Sequence, residues 1–335
     1  MASSRILPSY DENRQMLGEI YPLSTPFNVI IDASEACNLK CGYCFRGQKN
    51  SDNQGYADGG LMEWDTFCLT VEQIKEFPET VKQISLSNHG EPLCNRKLPD
   101  MVRHIKENGI KSRISIHTNA VLLDYEYALD LANSGIDRVV VSVQGLSDAK
   151  YEEVCGVKLD FMKFYERIKC FSEHKKNTGI HIKIIDVALE QGEDRRFYEL
   201  FEPIADRVYI EKMVPIWKNT DSMGITKEGR NKFGDSFPRQ ECCPLIFHTI
   251  VVTPIGDVYP CTQLLSPFTL GNIRERSIRE CWESSERREL LIRQCELNNP
   301  DICDNCFILQ NSIYTKEDMI DEYRMEILGR LQSEG

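Results

Sequence analysis

The stretch FNVIIDASEACNLKCGYC, residues 27–44, decides the fold. It opens with an apolar, β-branched run behind Pro26, which predicts a buried strand over residues 27–34. Cys37, Cys41 and Cys44 follow directly, with three and two residues between them. Three thiols are therefore expected in one short loop at the carboxyl end of the first strand.

Similar apolar runs recur further along the chain, at KQISLSN (82–88), RISIHTN (113–119), RVVVSVQ (138–144), HIKIIDV (181–187) and RVYIEK (207–212). Amphipathic stretches that predict helices lie between several of them, at residues 98–109, 125–135 and 161–176. This alternation predicts an α/β fold with a parallel sheet that closes toward a partial, TIM-like (β/α)6 barrel. In such folds the reactive groups lie on loops at the carboxyl ends of the strands.

The pattern changes near residue 240. Residues 215–240 are polar and rich in glycine and proline, as in a linker. After them, residues 247–261 predict a β-hairpin, residues 276–296 a helix, and DICDNC (301–306) a cysteine-bearing loop. We therefore expect a barrel domain over residues 1–240 and a small β-hairpin-plus-helix domain over residues 241–335.

Composition limits the classes of function. The 335 residues carry a formal net charge of −12, which disfavours nucleic acid and anionic lipid as partners. No apolar run is long enough for a membrane helix, and the N-terminus lacks the apolar core of a secretory signal, so a cytoplasmic location is expected. In a reducing compartment, the clusters among the 14 cysteines predict metal or redox sites rather than disulfides.

The first cysteine set predicts a metal site with an open position. Three thiolates can hold three corners of an iron–sulfur cubane, whereas a cluster normally takes four cysteines. The fourth iron would then take an external ligand, as open catalytic zinc sites do. The alternative is a structural zinc ion, which would need another cysteine or histidine, and His89 is the nearest histidine in the sequence.

The spacing C-x3-C-x2-C after a first strand resembles the signature of radical S-adenosylmethionine (SAM) enzymes. Tyr43 stands at the aromatic position that this family places beside the adenine of SAM. The segment NHGEP (88–92) resembles the family's G-G-E segment, so Gly90 and Glu91 are expected to hold the SAM ammonium. Asn119 ends the third predicted strand and is a further candidate for SAM binding, and Ser142 ends the fourth, where the family commonly places a hydroxyl near SAM.

This resemblance implies a [4Fe-4S] cluster that binds SAM through its open iron. A reductant such as flavodoxin or ferredoxin would supply one electron, and SAM would release a 5′-deoxyadenosyl radical that removes a hydrogen atom from the substrate. In such enzymes the cofactor supplies the difficult chemistry, and the protein orients it and excludes competing reactions.

A second metal site is predicted near the C-terminus. Cys243 and Cys261 flank the predicted hairpin, and Cys303 and Cys306 form a C-x2-C loop, which together offer four thiolates for a closed auxiliary [4Fe-4S] cluster. This resembles the SPASM and twitch extensions of radical SAM enzymes. No cysteine follows Cys306, which favours the shorter twitch form. A four-thiolate zinc site is the alternative, and adjacent Cys242 could replace Cys243, although the resemblance favours Cys243.

Three segments resemble the aminocyclitol dehydrogenases of butirosin biosynthesis: CCPLIFHTIVVTPIGDVYPC (242–261), LGNIRERSIRECWES (270–284) and DICDNC. The resemblance implies that the radical removes hydrogen from a hydroxyl-bearing carbon of a small polar substrate, a sugar or aminocyclitol. A base would take the hydroxyl proton, and the auxiliary cluster would accept an electron. At the barrel mouth we name the polar residues Asp186, Glu211 and Lys212 at predicted strand ends as candidates for substrate contacts, with Trp217 in the following loop. His117, also near a strand end, is the candidate base.

Three alternatives stay open. An epimerase would return a hydrogen atom to the substrate from a cysteine, with Cys242, Cys155 and Cys94 as candidates. A peptide-modifying SPASM-type maturase usually carries a peptide-binding module before the barrel, and only about 26 residues precede the first strand here. A non-enzymatic iron–sulfur scaffold or redox sensor would need no SAM motifs.

Overall fold

The structure is a computed structural model that describes residues 14–47, 60–214, 232, 240–263, 268–304, 306–311 and 316–333. Its strands are β1 (Asn28–Ile31), β2 (Gln83–Ser85), β3 (Arg113–Thr118), β4 (Arg138–Val143), β5 (Gly179–Ile185), β6 (Arg207–Glu211), β7 (Thr249–Val252), β8 (Asp257–Tyr259) and β9 (Gly271–Asn272). Its helices are α1 (Leu17–Ile20), α2 (Trp64–Ile74), α3 (Leu98–Glu107), α4 (Tyr125–Asn133), α5 (Asp148–Cys155), α6 (Phe161–His174), α7 (Asp194–Phe201), α8 (Leu245–His248), α9 (Ile278–Trp282), α10 (Ser285–Cys295), α11 (Asp301–Asp304), α12 (Phe307–Asn311) and α13 (Arg324–Ser333).

The strands form one sheet in the order β6-β5-β4-β3-β2-β1-β7-β8-β9. β1 to β6 pair in parallel with their sequence neighbours, and β7 joins the other side of β1, also in parallel. β8 and β9 continue the sheet as antiparallel strands. Because β6 does not pair with β1, the barrel is partial and unclosed, as predicted.

Side chains alternate between the two faces of the barrel strands. In β3, Ile114 and Ile116 belong to the hydrophobic core shared with the surrounding helices. Arg113 and His117 are exposed and lie on the opposite face, which is the barrel interior. In β5, Lys183 likewise lies on the inner face, between the core residues Ile182 and Ile184. The barrel interior is therefore polar where the outer face is apolar.

All six predicted barrel strands and the predicted hairpin are present, and each bound lies within three residues of its expected position. The single helix expected over residues 276–296 is wrong, because the structure has two helices there. Helix α9 ends at Trp282, and Ser284 starts the second helix, because its side chain accepts a hydrogen bond from the Arg287 amide and caps α10. The loop expected over residues 301–306 contains the one-turn helix α11.

The division near residue 240 stays a prediction. Most of the predicted linker, including residues 215–231 and 233–239, lies outside the described residues. A second hydrophobic cluster, separate from the barrel core, joins α8 and α10 to α13 and the N-terminal helix α1. In the part of the chain that the structure describes, no helix is both long and apolar enough to cross a membrane.

Candidate active site

The first cysteine set lies on the loop that leaves β1. Cys37 is exposed, Cys44 is half-buried and Cys41 is buried. The loop closes on itself, because the Cys44 amide donates to the Cys41 carbonyl at 3.0 Å and the Gly47 amide donates to the Cys44 carbonyl at 2.9 Å. A Cβ on Gly47 would overlap the backbone carbonyl of Cys41, so the tight fold of this loop requires glycine there.

The segment after β2 packs directly on this loop. A Cβ on Gly90 would overlap the backbone oxygens of Ser34 and Ala36, so glycine alone allows this approach. The Glu91 amide donates to the Ala36 carbonyl at 2.8 Å. The predicted SAM-binding segment and the cysteine loop are thus joined backbone to backbone.

The Glu91 carboxylate organises the ends of β2 and β3. It is 2 % exposed and accepts hydrogen bonds from the Thr118 hydroxyl (2.5 Å), the Leu93 amide (3.0 Å) and the Asn119 amide (2.7 Å). Burial raises the pKa of Glu91 to about 7, against these donors, which lower it. A carboxylate offers about four lone-pair sites, so one on Oε2 is left for an external donor such as an ammonium group.

The other predicted SAM-site residues surround the same loop. The side-chain nitrogen of Asn119, Nδ2, lies 4.0 Å from Cys37 Sγ and donates a hydrogen bond to Asn38 Oδ1 at 2.9 Å. Burial, and then the neighbouring thiols, raise the pKa of the Tyr43 phenol. Ser142 lies on β4, in register with Lys183 on β5. Three thiols, a close backbone cradle and a carboxylate with a vacant acceptor site suit an iron–sulfur cluster that binds SAM.

Two further cysteines lie near this loop. Cys155 ends α5 and is fully buried, with its Sγ 3.5 Å from that of Cys41. Cys94 is half-buried, and burial together with nearby Glu91 and Cys37 raises its pKa to about 11. The structure thus places the Cys155 thiol in contact with Cys41 of the cysteine loop, and the Cys94 thiol near Cys37.

A charged cluster occupies the barrel interior near the ends of β5 and β6. Glu211 bridges two lysines, with Oε2 2.7 Å from Lys183 Nζ and Oε1 2.5 Å from Lys232 Nζ. Burial alone would raise the pKa of Glu211, but the two ammonium groups outweigh it and lower the pKa to about 2. Glu211 is therefore a fixed anion at neutral pH.

His117 belongs to the same interior surface. The residue as a whole is partly exposed, yet desolvation of the ring by surrounding protein atoms, together with Lys183 and Lys232, lowers its pKa to about 3. The ring is therefore neutral at pH 7 and keeps one nitrogen lone pair available. The sequence could not reveal Lys232 as part of this group, because it follows β6 by more than 20 positions.

Asp32 and His89 form a buried pair that the sequence reasoning missed. The His89 amide donates to Asp32 Oδ2 at 3.2 Å, and the His89 ring Nε2 lies 2.8 Å from the Thr262 carbonyl. A carbonyl only accepts, so Nε2 carries a proton, and burial lowers the pKa of the ring to about 4, which leaves the ring neutral at pH 7. Because Thr262 follows Cys261, this pair connects the barrel with the second cysteine set. Asp32, a polar residue at the end of a buried strand, was the available signal.

The second cysteine set converges from distant positions in the chain. Cys243 and Cys261 are buried, and Cys303 and Cys306 are half-buried. Burial raises the pKa of Cys303, and the next largest causes are the nearby thiols of Cys243, Cys261 and Cys306. Crowded thiols resist losing their protons unless a cationic metal centre binds them, so this donor set suits a metal cluster.

The surroundings of Cys243 support its choice over Cys242. The Gln294 side chain accepts a hydrogen bond from the Cys243 amide at 3.0 Å, while its buried Nε2 has no hydrogen-bond partner among the described residues. This N–H group is available to donate to a cluster sulfur. Cys242 instead lies against the Cys295 thiol in the apolar cluster. The assignment of both ligand sets stays a prediction.

Within the described ranges, no three histidine, cysteine, aspartate or glutamate side chains form a group that could hold a single metal ion. The donors of both cysteine sets are thiols, which suit iron–sulfur clusters. Among other predicted polar residues, Asp186 accepts a hydrogen bond from the Met213 amide at 2.8 Å and lies 3.4 Å from Lys212 Nζ. Trp217 lies outside the described residues.

Comparison with known protein families identifies the class. Residues 31–198, which are 168 of the 335, match the model of the radical SAM superfamily. Residues 242–307 match the model of SPASM, an iron–sulfur cluster-binding domain. The chain belongs to the radical SAM superfamily and carries a C-terminal SPASM domain. These domains imply a SAM-binding [4Fe-4S] cluster and an auxiliary cluster, as predicted, rather than the zinc alternatives.

Relatives of known name match parts of the chain. A probable GTP 3′,8-cyclase of Methanococcus vannielii is 39% identical over 127 residues, which are 38% of this chain and 39% of the cyclase. The chain thus spans about two fifths of the length of that relative. A tungsten-containing aldehyde ferredoxin oxidoreductase cofactor-modifying protein of Pyrococcus furiosus is 24% identical over 294 residues, covering 76% of this chain and 80% of that protein.

Solved structures share the fold. Streptococcus suis SuiB bound to its precursor peptide SuiA matches with a TM-score of 0.60 and 19% identity, over 86% of this chain and 71% of SuiB. BtrN in complex with AdoMet and 2-DOIA matches with a TM-score of 0.54 and 20% identity, over 87% of this chain and 96% of BtrN. At these identities the similarity establishes the fold, and the reaction of this chain is argued separately.

Proposed function

We propose that this radical SAM enzyme oxidises a hydroxyl-bearing carbon of a small polar substrate, a sugar or an aminocyclitol. The observation that supports this most is the inward-facing polar group formed by His117, Lys183, Glu211 and Lys232 in the barrel. Its ammonium and carboxylate groups can exchange hydrogen bonds with several hydroxyls or an amine of one ligand. An apolar substrate would leave these charges desolvated and poorly paired.

When bound, SAM and its cluster supply a 5′-deoxyadenosyl radical that can remove a hydrogen atom from carbon. The protein must then accept the hydroxyl proton, and the neutral His117 ring has a nitrogen lone pair for it. Glu211 is less suited as a base, because each of its two carboxylate oxygens already accepts a hydrogen bond from a lysine ammonium group. We assign Glu211 to the orientation of Lys183 and Lys232 toward the substrate.

The electron balance requires an acceptor. Oxidation of the carbinol to a carbonyl removes two electrons and two protons. One electron and one proton leave together as the hydrogen atom on carbon, and the second proton leaves the hydroxyl group while the second electron passes to an acceptor. We propose the auxiliary cluster at Cys243, Cys261, Cys303 and Cys306 as the acceptor of that electron, because a cluster with four thiolates can change its oxidation state. Flavodoxin or ferredoxin is the proposed reductant of the SAM-binding cluster.

Epimerisation is the second candidate, and the position of Cys94 favours it. A cysteine that returns a hydrogen atom must keep its S–H group and lie near the site of the radical. Cys94 lies beside Cys37, and burial with its acidic neighbours keeps it protonated. Cys155 and Cys242 are each buried against another thiol, so they are less accessible to a substrate.

The test is product mass after anaerobic reconstitution with iron and sulfide. The enzyme is incubated with SAM, a reductant and a panel of aminosugars and aminocyclitols. Oxidation predicts a product that has lost two hydrogens. Epimerisation predicts an unchanged product mass in H2O, and a product with one added deuterium when the reaction is run in D2O. Cleavage of SAM with turnover of a peptide and of no small substrate would replace the proposal by a peptide-modifying function.

A variant tests the assigned base. His117→Gln is expected to lower the oxidation rate by about 100-fold, in the range of lost general base catalysis, while SAM still binds. His174→Gln, at the exposed end of α6, is the matched control and should leave the rate unchanged. An active His117→Gln enzyme would remove His117 from the proposal.

A further inference from the structure

We propose that Cys155 is a positioning residue that donates an S–H···S hydrogen bond to Cys41 and thereby raises the reduction potential of the SAM-binding cluster. The proposal rests on the assignment of Cys41 as a cluster ligand and on no particular substrate. It can therefore fail while the proposed oxidation stands, and the reverse is also true.

The contact between the two thiols is direct and enclosed. The Sγ atoms lie 3.5 Å apart, within hydrogen-bond distance for sulfur and far beyond the length of a disulfide. Cys155 has no exposed surface and Cys41 is 9% exposed. No water therefore competes for the hydrogen bond between them.

The backbone fixes this contact on both sides. The Lys40 amide donates to the Cys155 carbonyl at 3.0 Å, and the Gly42 amide donates to the Val154 carbonyl at 3.0 Å. These two bonds hold the last turn of α5 against the residues that flank Cys41. Gly156 then ends the helix in the left-handed region, with φ of +66°, which keeps the last turn in place. The position of Cys155 is thus set by the fold and not by a flexible side chain.

The roles of the two thiols differ when a cluster is present. A ligating cysteine is a thiolate, so Cys41 has no proton to donate and can only accept. Cys155 is a free thiol outside the C-x3-C-x2-C motif, so its S–H group can serve as the donor of the pair. Reduction adds negative charge to a cluster and its sulfurs, so a donor stabilises the reduced form more than the oxidised form. Hydrogen bonds to the sulfurs are among the factors that set the potentials of iron–sulfur clusters.

The test is an EPR-monitored redox titration of the reconstituted full-length enzyme, followed on the signal that changes when SAM is added. For Cys155→Ala we expect the ratio of reduced to oxidised cluster at a fixed potential to fall by about threefold to tenfold. A tenfold change equals about 59 mV for a one-electron couple. Cys155→Ser keeps a donor and should recover part of the shift. Cys170→Ala, on helix α6, is the control and should match the wild type.

Iron content distinguishes the other roles that Cys155 could have. An unchanged potential in a fully loaded Cys155→Ala enzyme would overturn the proposal. So would a Cys41→Ala variant that keeps its full SAM-binding cluster and loses it only when Cys155 is also replaced, because Cys155 would then be a ligand. If Cys155→Ala fails to load, Cys155→Val is compared with the wild type instead, because valine fills the site and donates no hydrogen bond, and an unchanged potential again overturns the proposal.

Discussion

The two cysteine sites differ in how far apart their ligands lie along the chain. Cys37 and Cys44 are seven positions apart, whereas Cys243 and Cys306 are 63 positions apart. The first loop is braced by the protein itself, through Gly90, Glu91 and the end of α5. The second site joins a hairpin to the two short helices α11 and α12. We therefore expect the first site to be largely formed before its cluster binds and the second site to depend more strongly on its cluster.

The largest expected effect tests the second site. Replacing Cys303 and Cys306 by serine should remove the auxiliary cluster, halve the iron content and lower the free energy of unfolding by about 4 kcal/mol. This is the stabilisation expected from a cross-link that closes a loop of about 60 residues. Urea unfolding of the reconstituted protein under anaerobic conditions measures it.

The matched variant replaces Cys37, Cys41 and Cys44 by serine. It also halves the iron content, but a cross-link over so short a loop is expected to contribute only about 2 kcal/mol. Cys170→Ser controls for the loss of a non-ligand thiol. Equal losses of stability in the two ligand variants would contradict the difference between the sites.

The next effect tests the bracing of the first site. Glu91→Ala leaves the Thr118 hydroxyl and two backbone amides without their acceptor, so we expect a loss of about 3 kcal/mol in the free energy of unfolding. The loss should be the same with and without the cluster, because these bonds lie within the chain. Glu126→Ala, on the exposed face of α4, should change stability little. A loss that appears only in the loaded protein would mean that the cluster, and not Glu91, organises this loop.

This contrast also explains what the sequence could and could not predict. The cysteine spacings and the β-branched runs are local patterns, and they located the strands and both thiol sets. The start of α9 was also readable, because Ser277 and Glu280 form a capping box over four consecutive residues. The break at Ser284 was missed because residues 283–289, ESSERRE, carry no apolar side chain, so apolar periodicity gives no signal for or against a helix end there.

Contacts between distant residues could not be predicted. Lys232 reaches Glu211 from a segment with no regular pattern, and His89 contacts Thr262 across 173 positions. Cys155 stands alone in the sequence and only the fold brings it to Cys41. Such pairs depend on how the sheet and its loops pack, which no local spacing encodes. Lys183 illustrates the same limit. Side chains alternate between the two faces of a strand, but the sequence does not say which face of β5 is the barrel interior.

The smallest effect concerns the junction between the two sites. Asp32 is fully buried and accepts a hydrogen bond from the His89 amide, and the His89 ring in turn contacts the Thr262 carbonyl. The second carboxyl oxygen of Asp32, Oδ1, has no hydrogen-bond partner among the described residues. Burial is the largest cause that raises the pKa of Asp32 from 3.8 to about 7, and nearby Glu35 raises it as well. Hydrogen bonds from the His89 and Ser34 amides and the charge of Arg46 act in the opposite direction. The native carboxyl therefore holds its proton over a pH range in which the unfolded chain has lost it.

The sign of the pH dependence follows from this shift. Stability from the protonated Asp32 is fully present below pH 3.8 and is lost as the pH rises to about 7, where the buried carboxylate ionises. Asp32→Asn stays neutral, so its stability relative to the wild type should rise between pH 5 and pH 8, by on the order of 2 kcal/mol. Urea unfolding at both pH values measures this, with exposed Asp65→Asn as the control. His89 contributes a separate loss at low pH in both proteins, because burial lowers its pKa to about 4, and this largely cancels in the difference. An Asp32→Asn variant that is less stable than the wild type at pH 8 would mean that the ionised carboxylate holds the two sites together, which would make the junction a charged link and not a neutral one.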